Sequence, residues 1–135
     1  MQTLLIFSLA FAGAGGSALL HPRPEPTQLV EDEWMRTVEQ VVTMDDFLWV
    51  DARTPDVFAE KHIEGAVNVS LQDWDHGFGE MLAQWSPDAA IVVYCDGEGC
   101  ELSKEAAARL RSDLGDDRVY WLFGGIEAWE EHSKQ

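Results

Sequence analysis

Two cysteines, Cys95 and Cys100, are the residues of this chain best suited to covalent chemistry. Cys95 ends a short apolar run, and two glycines follow it before Cys100 opens a helical pattern. A thiol between a strand and a helix lies near loop amides and near the positive end of the helix dipole. Such a setting lowers the pKa of a thiol below its ordinary value of about 8.5. Cys95 is therefore predicted to be a nucleophile whose sulfur faces loop amides and is open to reactants.

The role of the second thiol stays open at this level. Four residues separate Cys100 from Cys95, and a local disulfide requires Cα atoms within about 7 Å of each other. Cys100 is then a candidate resolving thiol, which attacks a sulfur carried by Cys95. The alternative is a cysteine at a helix start that only packs inward. The predicted active-site loop consists of Asp96, Gly97, Glu98, Gly99, Cys100 and Glu101.

Alternating strands and helices are predicted to position Cys95. This pattern predicts an α/β fold, a small three-layer domain with a central, mainly parallel sheet flanked by helices. Ligands of such sheets bind beyond the carboxyl ends of the strands, and Cys95 follows a strand directly. The predicted strands are 47–50, 66–69, 90–94 and 119–122, the predicted helices are 54–61, 78–85, 101–114 and 126–131, and 71–79 is predicted as a polar loop.

An apolar segment without charge covers residues 3–20 of the 135-residue chain. It predicts a signal peptide or a membrane anchor at 1–20, and hence an anchored or exported protein of the cell envelope. The side of the membrane stays open. A proline-rich and acidic linker is predicted at 21–36, and one domain at 37–132.

The net charge of −16 disfavours nucleic acid as a partner, because phosphates are repelled. Two cysteines cannot form a disulfide framework that holds the whole fold. The scattered histidines lack the spacing of metal ligands, so no metal site is predicted.

Three blocks of sequence resemble rhodanese-type sulfurtransferase domains, and together they span about 37–132. The first block is 48–53 with 61–68, the second is 92–95 with Ser103, and the third is 119–125 with Trp129. The order and spacing of the blocks carry the resemblance, because each block alone is a modest signal.

The resemblance implies that Cys95 takes a sulfane sulfur from a donor, becomes a persulfide and passes the sulfur to a thiol or another thiophilic acceptor. Donor and acceptor would be small molecules or proteins, and neither a metal nor an organic cofactor is implied. Asp51 and Arg53 are expected to support the domain through an internal ion pair or loop-bracing hydrogen bonds. His62 is expected to be a hydrogen-bonded structural residue.

The predicted loop departs from the family pattern in its charge. Asp96 follows the cysteine where the family commonly has arginine, and residues 95–102 contain no cation. Ser103 lies two positions further from the cysteine than the family pattern suggests, which predicts a longer loop. Nearby carboxylates raise the pKa of a thiol and repel thiosulfate, so a neutral donor or a protein persulfide is easier to accommodate.

Other classes of function remain as alternatives. Cys95 and Cys100 could form the redox pair of a thiol-redox protein, although their spacing is wider than Cys-x-x-Cys. A binding module without catalysis could use the same fold. A cysteine phosphatase is excluded, because its loop needs arginine six residues after the cysteine and this chain has Glu101 there.

Overall fold

The computed structural model describes residues 32–97 and 100–135. The predicted signal or anchor and most of the predicted linker lie outside this range, as do Glu98 and Gly99 of the predicted loop. Within the described residues, no helix is long and apolar enough to cross a membrane. The envelope location therefore stays a prediction.

A five-stranded sheet forms the centre of the described domain. Its strands are β1 (Met35–Arg36), β2 (Phe47–Asp51), β3 (Val67–Asn68), β4 (Ala90–Tyr94) and β5 (Val119–Leu122). They lie in the order β1-β5-β4-β2-β3, and every neighbouring pair is parallel. The predicted parallel sheet is confirmed, and β4, the strand that leads to the first cysteine, is central.

Helices cover both faces of the sheet. They are α1 (Val38–Val41), α2 (Pro55–Glu60), α3 (Trp74–Gln84), α4 (Glu101–Leu114) and α5 (Gly125–Ser133). Ile91 and Val93 of β4 share a buried cluster with residues of α3 and α4. Val92 and Tyr94, which point to the opposite face, share a second cluster with residues of α1 and α5. The apolar run of β4 is continuous because both of its faces are buried, and the predicted three-layer α/β class is confirmed.

The prediction of a polar loop at 71–79 is wrong. A short 3₁₀ turn, Leu71–Asp73, leads directly into α3. Gly77 lies inside that helix, where a Cβ atom would come within 2.6 Å of the backbone oxygen of Asn68. The glycine lets the helix approach β3 closely, so it marks a packing contact rather than the end of a helix.

Two smaller expectations also need correction. Met35–Arg36, assigned to the linker by the sequence, forms the edge strand β1 and pairs with β5. The helical spacing of Leu102, Ala106, Leu110 and Leu114 predicts Leu102 on the inward face of α4, but Leu102 is 41% exposed and Ser103 is buried in its place. The inward face of α4 is therefore displaced by one residue at its start, which brings a hydroxyl group towards the end of β4.

Candidate functional site

Cys95 follows β4 directly, at the carboxyl edge of the sheet, as predicted. It is bonded to Cys100 in a disulfide whose Cα atoms lie 6.4 Å apart. Cys100 is the N-cap residue of α4, so the bond joins the end of a central strand to the start of the longest described helix. The local disulfide, which the sequence left open, is present.

The expectation of an open sulfur is wrong for this disulfide-bonded state. Cys95 is only 1% exposed, and its sulfur is bonded to Cys100 in the position that a donor would need. Among the described residues, no backbone N–H donates a hydrogen bond to the sulfur of Cys95 either. The loop amides of Glu98 and Gly99 lie outside the described part. The disulfide must therefore be reduced before Cys95 can act as a nucleophile.

Ser103 supplies the polar contact to the sulfur of Cys95. Its Oγ lies 3.5 Å from that sulfur and 3.5 Å from the backbone oxygen of Cys100. A disulfide sulfur carries no hydrogen and a carbonyl oxygen only accepts, so the single hydroxyl hydrogen of Ser103 is directed to one or the other of these two acceptors. The same hydroxyl is positioned to donate to a thiolate after reduction, because a hydrogen bond to an ionised acceptor is stronger than one to a neutral acceptor.

Carboxylates lie close to the residues that follow Cys95. Asp96 and Glu101 have exposed side chains. Glu127 of α5 lies over the backbone of Gly97, where an added Cβ atom would come within 2.8 Å of its Oε2. The sequence predicts the first two acids at the loop but not Glu127, which lies thirty positions after Gly97 in the chain. The site is thus more acidic than the loop alone indicated.

Among the residues that the structure describes, two cations reach this loop, Lys104 and Arg53. Lys104 pairs with Glu101 at 3.3 Å. Nη1 of Arg53 lies 3.6 Å from Oδ1 of Asp96, although the main partner of Arg53 is Asp51. Nε and Nη2 of Arg53 both donate to the Asp51 carboxylate, and both residues are buried. These hydrogen bonds hold the pKa of Arg53 above its ordinary value. The predicted internal ion pair between Asp51 and Arg53 is present, and the Nη1 atom of Arg53, which is directed to Asp96, connects β2 to the loop.

Further hydrogen bonds brace the chain between β2 and β3. Arg53 donates through Nη2 to the backbone oxygen of Lys61 at 2.6 Å. Asn68 donates through Nδ2 to the backbone oxygens of Asp51 and Arg53. His62 is exposed, its Nδ1 lies 2.7 Å from the backbone oxygen of Phe58, and its ring stacks on that phenyl group. These contacts agree with the structural role expected for all three predicted supporting residues.

The start of α5 holds the loop through its backbone. The N–H of Ile126 donates to the oxygen of Cys95 at 2.9 Å, and that of Glu127 donates to the oxygen of Asp96 at 3.3 Å. Gly125 has φ +58°, and a Cβ atom there would overlap both of these carbonyl oxygens. The first turn of α5 therefore holds the backbone of Cys95 and Asp96 in place through hydrogen bonds.

Gly125→Ala is expected to destabilise the domain by about 3 kcal/mol, from left-handed backbone strain and from overlap with the loop carbonyls. Gly115→Ala is the matched control, because Gly115 has φ +62° with open space around its Cα. The control should cost only about 1 kcal/mol, the strain alone. Denaturant unfolding of both variants measures the difference, and equal midpoints would show that the contact between Gly125 and the loop is unimportant.

Comparison with known proteins relates this site to a family. A family model described as rhodanese-like domain matches residues 35–132. The thiosulfate sulfurtransferase GlpE of Shewanella oneidensis is 35% identical over 82 residues, which are 61% of this chain and 74% of that protein. GlpE of Coxiella burnetii is 28% identical over 93 residues, which are 69% of this chain and 80% of that protein.

The fold is also similar to solved structures. A crystal structure of a Bacillus halodurans protein superposes with a TM-score of 0.60 and 25% sequence identity, covering 74% of this chain and 73% of that chain. The family match begins at the first residue of β1 and ends within α5. It therefore includes all five strands of the described sheet and both cysteines.

Proposed function

Because the chain belongs to the family of rhodanese-like domains, we propose that it is a sulfurtransferase that carries sulfane sulfur on Cys95. The observation that carries the proposal is the position of Cys95, at the end of the central strand and beside the first turn of α4. Relatives with a thiosulfate sulfurtransferase name align with most of the same domain, which supports this class of reaction.

The proposed reaction starts from the reduced protein. The Cys95 thiolate attacks the sulfane sulfur of a donor, so a new S–S bond forms on Cys95 and the donor leaves with its remaining group and the electron pair. A thiolate acceptor then attacks the outer sulfur and takes it as a persulfide, which restores the Cys95 thiolate. The Ser103 hydroxyl stabilises that thiolate at the start and at the end of the cycle.

The charge of the site favours donors without a negative charge. Asp96, Glu101 and Glu127 all lie at the loop, whereas Arg53 is already neutralised by its buried partner Asp51 and Lys104 offsets only Glu101. An anion such as thiosulfate is repelled by these carboxylates before it reaches Cys95. We therefore propose a neutral sulfane-sulfur compound or a protein persulfide as the donor and a thiol as the acceptor.

The disulfide favours a second candidate, a thiol-redox protein that uses Cys95 and Cys100 as its dithiol pair. Such a protein would exchange electrons with a substrate disulfide without gaining sulfur. Sulfur incorporation at Cys95 therefore separates the two functions.

Mass spectrometry of the reduced Cys100→Ser variant tests the proposal directly. In this variant no second thiol competes for the sulfur or closes the disulfide, and serine is a favoured N-cap residue, so α4 keeps its start. After the reductant is removed, cysteine persulfide should make the variant heavier by one sulfur atom, which maps to Cys95. An unchanged mass, with the Cys95 thiol free by alkylation, would overturn the sulfurtransferase proposal.

A further inference from the structure

We propose that Cys100 resolves the persulfide on Cys95, so that this domain releases hydrosulfide and returns to the disulfide state. The inference rests on the sulfurtransferase function proposed above and adds a reductive activity to the same site. It assigns the second cysteine a step that transfer to an external acceptor does not need.

The geometry for this step is already formed. The Cα atoms of Cys95 and Cys100 lie 6.4 Å apart, within the range that a disulfide spans, and the two sulfurs are bonded. Cys100 caps the fourteen-residue helix α4, whose positive end stabilises a thiolate at that position. The attacking sulfur therefore needs no rearrangement of the sheet or of α4 to reach its target.

The thiol of Cys100 reaches the sulfur of Cys95 more easily than an external thiol does. Cys100 is already in direct contact with the sulfur of Cys95 in the disulfide state. An anionic external thiol must approach the carboxylates of Asp96, Glu101 and Glu127. A tethered and oriented thiol reacts faster than a free one, because its translational freedom is already lost.

The atoms and electrons of the step balance. The Cys100 thiolate attacks the inner sulfur of the Cys95 persulfide, forms the disulfide between the two residues, and displaces the outer sulfur as hydrosulfide. The outer sulfur gains the two electrons that the two cysteine sulfurs lose. An external dithiol then reduces the disulfide through thiol–disulfide exchange and is itself oxidised to a disulfide, which returns both cysteines to thiols.

The test compares the reduced wild-type chain with Cys100→Ser under anaerobic conditions, each given one equivalent of cysteine persulfide. Wild type should release hydrosulfide and become lighter by two hydrogens, with Cys95 and Cys100 linked in the peptide map. Cys100→Ser should keep the added sulfur and release hydrosulfide at least about tenfold more slowly. Wild type without donor controls for oxidation from other sources, and it should keep both thiols.

The outcomes separate this inference from the function on which it rests. If wild type keeps the added sulfur for as long as Cys100→Ser does, Cys100 is not a resolving thiol, although the sulfurtransferase proposal stands. If neither protein takes up sulfur, the sulfurtransferase proposal fails and the inference fails with it. Cys100→Ala provides a second variant without the thiol, and it should behave as Cys100→Ser does.

Discussion

Replacing Cys95 with serine should lower the rate of sulfur transfer to a thiol acceptor by more than about a thousandfold, because a covalent step loses its nucleophile. A serine hydroxyl stays protonated at neutral pH and forms no stable bond to sulfane sulfur. Among the described residues, the side chain within hydrogen-bond distance of the Cys95 sulfur is that of Ser103, whose hydroxyl is not a base that could activate serine. Steady-state transfer from cysteine persulfide to a thiol measures the loss.

The matched control for Cys95→Ser is Cys100→Ser. Both variants lose the same disulfide, so any cost of removing that cross-link to the stability of the domain is shared. The control should still transfer sulfur to an external thiol, because Cys95 is retained. A Cys95→Ser protein that is folded by circular dichroism and transfers sulfur within about tenfold of the control would contradict the assignment of the nucleophile.

Replacing Asp51 with asparagine should destabilise the domain by about 3 kcal/mol or more, because removing one partner of a buried ion pair leaves an uncompensated charge. Asp51 is fully buried, and Arg53, only 5% exposed, would keep its positive charge with only the solvent-exposed carboxylate of Asp96 nearby. Asparagine preserves the shape of the side chain, so the effect reports the loss of charge rather than a cavity. The midpoint of denaturant unfolding measures it.

Glu130→Gln is the matched control for the buried pair. Glu130 pairs with Lys61 on the surface, where solvent screens the interaction, so this variant should unfold at nearly the wild-type midpoint. The double variant Asp51→Asn with Arg53→Met should recover part of the lost stability, because no buried charge is then left unpaired. Equal midpoints for Asp51→Asn and Glu130→Gln would show that the buried pair does not stabilise the domain.

Strands and helices with a local sequence pattern were predicted accurately, whereas those that depend on packing against distant segments were not. The strand 90–94 and the helix 101–114 were predicted with the bounds that the structure has. One is a continuous apolar run, and the other has helical periodicity ending at Gly115, so both signals are local. The helix α3 was shortened in the prediction because Gly77 suggested a loop, and only packing against β3 explains a glycine there.

The residues of the site also divide into those that a local pattern locates and those that only tertiary packing brings together. Its central residue, Cys95, could be located from the sequence, because a polar or reactive residue directly after a parallel strand lies at the carboxyl edge of the sheet. The contacts of Glu127 and Arg53 with the loop could not be predicted from the sequence, because each depends on the distance between segments far apart in the chain. The pairing of β1 with β5 was missed for the same reason, since a two-residue strand has no periodicity to detect.

The amino-acid sequence by itself determined the alternation of strands β2 to β5 with helices α2 to α5, the parallel arrangement of these strands and the position of Cys95, because apolar periodicity and turn residues act locally. Only the tertiary structure decided that Cys95 is buried and bonded to Cys100. The glycine-containing loop between them is compatible with many backbone conformations. Backbone hydrogen bonds from α5 to Cys95 and Asp96, together with the position of Cys100 at the start of α4, bring the two sulfurs within bonding distance.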